Sequence, residues 1–180
     1  MDRHELPRSE SVEQLARQVF TDFHQTIIIH ESGSLAGDVD SVHDMRVTVR
    51  RLRVALSNFA ICVHKEERKR LRSNLENLAD ALGGVRDMDV MIAALKALSP
   101  IRPDQEKVAI STLIGRLRAR RRSRLRALMN YLGGEEYAGF KRESPSDWIK
   151  MNGTYRSSEP YDSHSGRSEA FPEDEHGQAA

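Results

Sequence analysis

The sequence predicts an all-α protein, an antiparallel bundle of four to five helices followed by a polar tail. Apolar residues recur at spacings of three and four from about residue 11 to residue 133. Glycine and proline breaks divide this region into segments of helical length. Beyond it, serine, glycine, proline and acidic residues dominate without periodicity. We therefore expect a short arm at residues 1–10, the bundle at 11–133 and a largely disordered tail at 134–180.

The first helix is predicted over residues 11–32, with Ser11 as its N-cap. Its apolar stripe consists of Leu15, Val19, Phe23 and Ile27, joined by Phe20 and Ile28. His24 lies on the same helix, and no second ligand at a fitting helical spacing supports a metal role. A place in the anion site is the less favoured role for His24. Gly33 is expected to end the helix and to begin a loop that extends to Ser41.

The second helix is predicted to run from Asp40 or Ser41, either of which would cap it, to about Val63. Its narrow apolar seam is Val42, Met45, Val49, Leu52, Leu56 and Phe59.

A row of basic side chains lies one position beyond this seam. His43, Arg46, Arg50 and Arg53 repeat the same spacing. At roughly 100° per residue they fall within an arc of about 80°. Two interpretations stay open for this row alone. The cations lie in water or beside acids of neighbouring helices, their stems covering the core, or they bind an external polyanion.

A third helix is predicted over residues 64–82, ending at Gly83-Gly84, where the chain turns into a fourth helix that ends near Leu98. Lys65, Arg68, Lys69 and Arg72 share one face near the start of the third helix. Basic residues oppose the helix dipole there, so a solvated face and an anion contact are equally supported.

Two acids follow the predicted turn. Asp87 and Asp89 would lie in the first turn of the fourth helix, where the dipole favours them. A divalent cation could bind such a pair, but capping together with an ion pair to a nearby arginine is the favoured role.

The longest helix is predicted over residues 104–132, after a break at Ser99–Pro103. Its seam is Ile110, Ile114, Leu117, Leu125, Leu128 and Leu132, with Arg121 at the intervening seam position. Burying a guanidinium without a partner costs several kcal/mol, so we expect Arg121 to face a charged groove, flanked by Arg120 and Arg124. The alternative for this arginine-rich run is a nonspecific nucleic-acid patch.

Charge is distributed unevenly along the chain. The net charge of +1 combines 23 Lys/Arg and 17 Asp/Glu in residues 1–133 with 5 and 10 in residues 134–180. A polyanion would therefore bind the first region. In the second, residues 135–150 carry three aromatic residues that would let this stretch dock on the bundle, namely Tyr137, Phe140 and Trp148.

Cysteine content and hydropathy bear on the cellular compartment. Cys62 is the only cysteine, which excludes an intrachain disulfide and fits a reducing compartment. The sequence has no apolar run long enough to cross a bilayer, and the first residues show no secretory signal. We expect a cytoplasmic protein without membrane association.

Two motifs resemble a known family. HDMRVTVRRLRVAL and the later LADALGGVRDMDVMIAAL are similar to the signature of the conserved histidine α-helical (CHAD) domain. The signature is His-x-x-Arg and Arg-Arg-x-Arg, then Gly-x-x-Arg-Asp-x-Asp. The matching positions are His43, Arg46, Arg50, Arg51, Arg53, Gly83, Arg86, Asp87 and Asp89. The resemblance covers residues 10–132 and implies an all-helical module that binds inorganic polyphosphate.

The resemblance also implies that one part of the family fold is missing. Members commonly contain two similar four-helix halves around a basic channel, whereas this sequence shows only the N-terminal half. Either one half suffices, or a homodimer completes the arrangement, or the half-domain is degenerate. Exposed seams favour the homodimer weakly.

The predicted function is polyphosphate binding in a basic groove. The groove would be formed by His43, Arg46, Arg50, Arg53, Lys69, Arg72, Arg86, Arg120, Arg121 and Arg124. Arginine forks engage phosphate oxygens bidentately, and the sequence lacks the interleaved aromatics typical of single-strand binders. The alternatives are a nucleic-acid-binding helical protein and an interaction module for an acidic protein. We expect no catalysis, cofactor or metal, and an association with polyphosphate granules in the cytoplasm.

Overall fold

The computed structural model describes residues 12–149. The predicted arm at 1–10, the Ser11 cap and the part of the tail from residue 150 onward lie outside the described residues. The helices are α1 (Val12–Ile29), α2 (Glu31–Leu35), α3 (Val39–Asn58), α4 (Lys65–Leu98), α5 (Asp104–Leu132) and α6 (Glu135–Arg142). Short 3-10 turns occur at Ala60–Cys62, Ser99–Ile101 and Pro145–Trp148. Residues 12–149 contain no strand, which confirms the all-α class.

Helices α3, α4 and α5 form an antiparallel layer. Arg53 contacts Glu76 in the first half of α4, and the earlier Arg46 approaches Gly83 farther along it, so α3 and α4 run in opposite directions. Helix α5 returns antiparallel to α4, with Tyr131 bonded to the carbonyl of Asn74. Helix α1 packs on α3.

The predicted turn at Gly83-Gly84 is wrong, because α4 continues through it as one helix of 34 residues. The glycines provide space for side chains from the neighbouring helices. A Cβ on Gly84 would lie 3.2 Å from Cδ of Arg124, and one on Gly83 would lie 3.8 Å from Nε of Arg46. The packing of α3 and α5 against α4 at these glycines outweighs the cost of roughly 1 kcal/mol for a glycine inside a helix.

The predicted loop at Gly33–Ser41 is largely helical. Gly33 lies inside α2, where a Cβ would overlap the side chain of Ser41. The chain turns instead at Gly37, whose φ of 74° is a left-handed conformation.

Helix α3 differs from the predicted second helix at both ends. Asp38, rather than Asp40 or Ser41, caps it by accepting a hydrogen bond from the Ser41 N–H at 2.7 Å. The backbone and side-chain hydrogen bonds from Ser41 lower the pKa of Asp38 below its usual range. At the other end α3 stops at Asn58, before the 3-10 turn.

The buried face of α1 is rotated from the predicted stripe. Ala16, Phe20, His24 and Ile27 are buried, whereas Leu15 is exposed. His24 is accommodated in the core because its Nε2 lies 2.9 Å from the carbonyl oxygen of Phe140, a hydrogen-bond partner that the sequence pattern could not indicate. His24 is therefore part of the core and does not face an anion site.

Residues 135–149 pack on the bundle, so the packed region extends past the predicted boundary at 134. Tyr137, Phe140 and Trp148 are each at most 2% exposed. The Trp148 ring lies 6.0 Å from Phe20 and 5.6 Å from His24 of α1. Arg70 of α4 pairs with Glu143 at 2.7 Å and fastens the outer edge of this segment. The expected docking of this stretch is confirmed through Ile149.

The two ends of α5 differ in burial. Only Leu128 and Leu132 of its predicted seam are buried, while Ile110, Ile114, Leu117 and Leu125 are half-buried. The difference arises because α4 and α5 are longer than α3. They extend past it as a hairpin closed by the 3-10 turn at Ser99–Ile101, where α3 no longer covers α5.

Candidate functional site

Two adjoining cavities form a groove over α3 and α4. The larger, about 780 Å³, lies between the end of α3 and the start of α4. The smaller, about 460 Å³, lies above the middle of α4, between α3 and α5. Arg50 and Arg53 line both cavities. We call the two together the basic groove.

Cations dominate the basic groove. Those that line the two cavities are Arg46, Arg50, Arg53, Lys65, Arg68, Lys69, Arg72 and Arg124. Two carboxylates, Asp80 and Asp87, line the smaller cavity. Eight positive charges against two negative ones leave an excess of six, so the groove has a positive potential that attracts polyanions.

The α3 side of the groove is the basic row predicted from the sequence. Arg46, Arg50 and Arg53 line one or both cavities because their 4-and-3 spacing keeps them on one helix face. Within residues 12–149, Arg46 and Arg50 form no ion pair with a carboxylate, so their forks remain available to a ligand. His43, half-buried one turn before Arg46, lines neither cavity.

The α4 side supplies Lys69 and Arg72, as predicted, and also Lys65 and Arg68. Their spacing in the sequence predicts that all four share one helix face, but the predicted site includes only Lys69 and Arg72. Arg68 also donates to the carbonyl of Ala60 at 2.9 Å, which anchors the turn between α3 and α4.

Among the residues of α5, Arg124 alone lines the groove. Gly84 leaves room for the Arg124 side chain to lie across α4. Arg120 is exposed one turn earlier and lines neither cavity. Arg86 is half-buried on α4 and also lies outside both cavities. Sequence spacing predicted which helices contribute cations to the groove, but not which of the side chains face it.

Arg121 lies in the interior rather than in the predicted groove. Its Nη2 donates to Asp89 at 3.2 Å and to the Gly37 carbonyl at 2.8 Å. The Arg121 and Asp89 side chains are 18% and 7% exposed, so each provides the countercharge that the other needs away from water. The ion pair favoured for the Asp-x-Asp acids is thus found at Asp89, while Asp87 faces the groove.

Glu76 bridges two cations of the groove. Its Oε1 accepts from Nη2 of Arg53 and from Nε of Arg72, each at 3.1 Å. The hydrogen bond from Arg72, followed by the positive charges of Arg53 and Arg72, holds the pKa of Glu76 below its usual range. Glu76 is not among the site residues predicted from the sequence, although its spacing of four from Arg72 is typical of an ion pair on one helix face.

Comparison with known families supports the resemblance seen in the sequence. A family model of the CHAD domain matches residues 18–171. The chain belongs to the CHAD family. A search of curated proteins found no match.

The CHAD match extends past the region in which the motifs were recognised. It continues from residue 132 to 171, which agrees with the packing of residues 135–149 on the bundle. Six of the nine CHAD signature residues have one of two roles, while His43, Arg51 and Arg86 line neither cavity. Arg46, Arg50, Arg53, Gly83 and Asp87 line the groove, whereas Asp89 holds Arg121 in the interior.

None of the helices in the described part of this CHAD domain is long and apolar enough to cross a membrane.

Proposed function

We propose that this CHAD domain binds inorganic polyphosphate in the basic groove. The single observation that supports this most is the convergence of α3, α4 and α5 cations on one groove, with an excess of six positive charges. Family membership supports the same ligand class. In this proposal the arginine forks bind successive phosphates and the domain catalyses no step on the chain.

The shape of the groove favours a linear anion over a compact one. Between Lys65 and Gly84 it follows α4 for about 28 Å, at about 1.5 Å per residue. A chain lying along it can contact Arg72, Arg50 and Arg124 in turn.

The lining favours polyphosphate over single-stranded nucleic acid. No aromatic side chain of the described residues lines either cavity. Tyr137, Phe140 and Trp148 instead lie in the core. Single-strand binders rely on aromatic platforms for stacking bases, and a chain of bare phosphates needs none.

Titration with polyphosphate of defined length tests the proposal. The double variant Arg50→Ala/Arg53→Ala removes the two cations shared by both cavities, and we expect its affinity to fall by at least about tenfold at low salt. Arg118→Ala/Arg122→Ala is a matched control, because it removes equal charge from exposed positions of α5 outside the cavities. Equal affinities for the two double variants would contradict the groove.

A competition experiment addresses the two alternative functions. We expect duplex DNA to displace bound polyphosphate poorly at equal phosphate concentration. Efficient displacement would favour nucleic acid, which backbone contacts alone can bind. Capture of a stoichiometric acidic protein that survives phosphatase treatment of the lysate would favour the interaction module.

Pairing of two copies stays a prediction. The α4–α5 hairpin carries exposed apolar side chains, including Val90, Met91, Val108 and Leu113, and contact between copies would cover such positions. Sedimentation velocity with and without polyphosphate measures the oligomeric state.

A further inference from the structure

Glu76 lines neither cavity, but it already binds two cations of the basic groove. It accepts from Arg53 of α3 and Arg72 of α4, two cations that line the larger cavity. A phosphate that engages both guanidiniums must therefore displace this carboxylate or share its partners.

We propose that Glu76 competes with the ligand from within the protein. In the free protein its carboxylate occupies Arg53 and Arg72, and this competition discriminates against short phosphate chains. This inference rests on the proposed function and names a specificity-determining residue of the same groove.

The exposure of the ion pairs makes them displaceable. The side chains of Arg53, Glu76 and Arg72 are 37%, 44% and 68% exposed. Solvent screens ion pairs of this exposure, and they contribute little to stability. A phosphate oxygen accepts a hydrogen bond from a guanidinium as well as a carboxylate oxygen does. The phosphate group also carries at least as much negative charge as the carboxylate group. Exchange of Glu76 for a phosphate is therefore close to balanced.

The length of the phosphate chain decides whether the ligand gains free energy by displacing Glu76. A short phosphate at this position gains the same two guanidiniums that Glu76 gives up, so its net gain is small. A long chain gains further contacts along the groove, at Arg50, Arg46 and Lys69, which have no carboxylate partner within residues 12–149. A long chain can also bind those cations while leaving Glu76 in place.

The two acids that line the groove act differently from Glu76. Asp80 and Asp87 line the smaller cavity, and neither forms an ion pair with a basic side chain in the described part of the chain. They repel every anion in the groove, whereas Glu76 also occupies two specific hydrogen-bond donors.

The test compares Glu76→Gln with Glu106→Gln. Both remove one negative charge, and Glu106 lies near the start of α5 with a long contact to Arg102 at 3.9 Å, outside both cavities. Each variant and the unsubstituted protein are titrated with tripolyphosphate and with a long polyphosphate at low salt. Circular dichroism verifies that each variant is folded.

We expect Glu76→Gln to bind tripolyphosphate about fivefold more tightly and the long chain about twofold more tightly, while Glu106→Gln changes neither by more than about 1.5-fold. Unchanged or weaker binding by Glu76→Gln would overturn the proposal, because it would mean that Glu76 only positions the arginines. An equal gain for both ligands would overturn the discrimination by length.

A second variant provides an independent check. Glu76→Asp keeps the charge but shortens the side chain, so it reaches Arg53 and Arg72 less well, and we expect tripolyphosphate to bind about twofold more tightly. No tightening would count against the competition. If the unsubstituted protein binds neither ligand, the proposed function fails first, and that result is distinct from a failure of the role of Glu76.

Discussion

Arg121 of α5 and Asp89 of α4 form an ion pair in the interior of the helix layer, and the same guanidinium donates to the carbonyl of Gly37. One arginine thus joins α4, α5 and the turn before α3. Its role is to hold the elements that carry the groove, and Arg124, one turn later, reaches the groove itself.

Asp89→Asn should destabilise the protein by about 2 kcal/mol, because it leaves the Arg121 charge with only neutral partners away from water. Urea unfolding measures the change. The control is Asp87→Asn, two residues earlier on α4, which removes an exposed carboxylate that lines the smaller cavity. It should leave stability within about 0.5 kcal/mol and bind polyphosphate more tightly. Equal stabilities of the two variants would contradict the interior role of the pair.

Gly84→Ala should separate helix stability from binding. Alanine favours a helix interior by about 1 kcal/mol over glycine, but its Cβ would lie 3.2 Å from Cδ of Arg124 and displace that side chain. We expect near-neutral stability and a polyphosphate affinity lower by about two- to threefold.

Gly115→Ala is the matched control for this prediction. A Cβ there has nothing within 4 Å, so the substitution should stabilise α5 by about 0.5–1 kcal/mol and leave binding unchanged. Strong destabilisation by Gly84→Ala would indicate a true turn at this position and contradict the continuous helix.

Trp148→Ala should destabilise the bundle by about 3–5 kcal/mol, as expected for removal of a buried aromatic side chain. Trp148 is 1% exposed and packs against Phe20 and His24 of α1. Val108→Ala, at a position that is 68% exposed, serves as the control and should change stability by less than about 0.5 kcal/mol. If Trp148→Ala matched this control, the segment 135–149 would not belong to the folded unit.

Binding should take up protons in the range where Glu76 titrates. In the free protein, Arg72 and then Arg53 lower the pKa of Glu76. A bound polyanion takes these partners and adds negative charge nearby, which raises that pKa. Affinity should therefore rise as the pH falls through the range between the bound-state pKa of Glu76 and its lower free-state pKa. Arg50 of α3 and Asp80 of α4 lie along the same groove.

Isothermal titration in buffers of different ionisation enthalpy measures this proton uptake. Glu76→Gln should abolish the acid-range increment in affinity. An acid-range increment that is equal in both proteins would arise from the phosphates and would contradict the linkage to Glu76.

The sequence predicted the helix class and the basic rows because both depend on local spacing. Arg46, Arg50 and Arg53 share a face of α3 by helical geometry alone, and the structure places them on the groove. Arg121 and Trp148 could not be placed in this way, since their environments depend on partners distant in the chain. The partners are Asp89 for Arg121 and Phe20 for Trp148.

Gly83-Gly84 shows why a local signal can mislead. Two consecutive glycines are typical of a turn, but here they give Arg46 and Arg124 room to approach α4. Tertiary packing overrides propensity at such a position.

The salt dependence of polyphosphate affinity tests the central claim most directly. Each guanidinium that contacts a phosphate adds about one unit to the slope of log affinity against log salt concentration. We expect Arg50→Ala/Arg53→Ala to reduce the magnitude of that slope by about one to two units, and Arg118→Ala/Arg122→Ala to leave it unchanged. If the two double variants have the same slope as the unsubstituted protein, the basic groove is not where the polyphosphate binds.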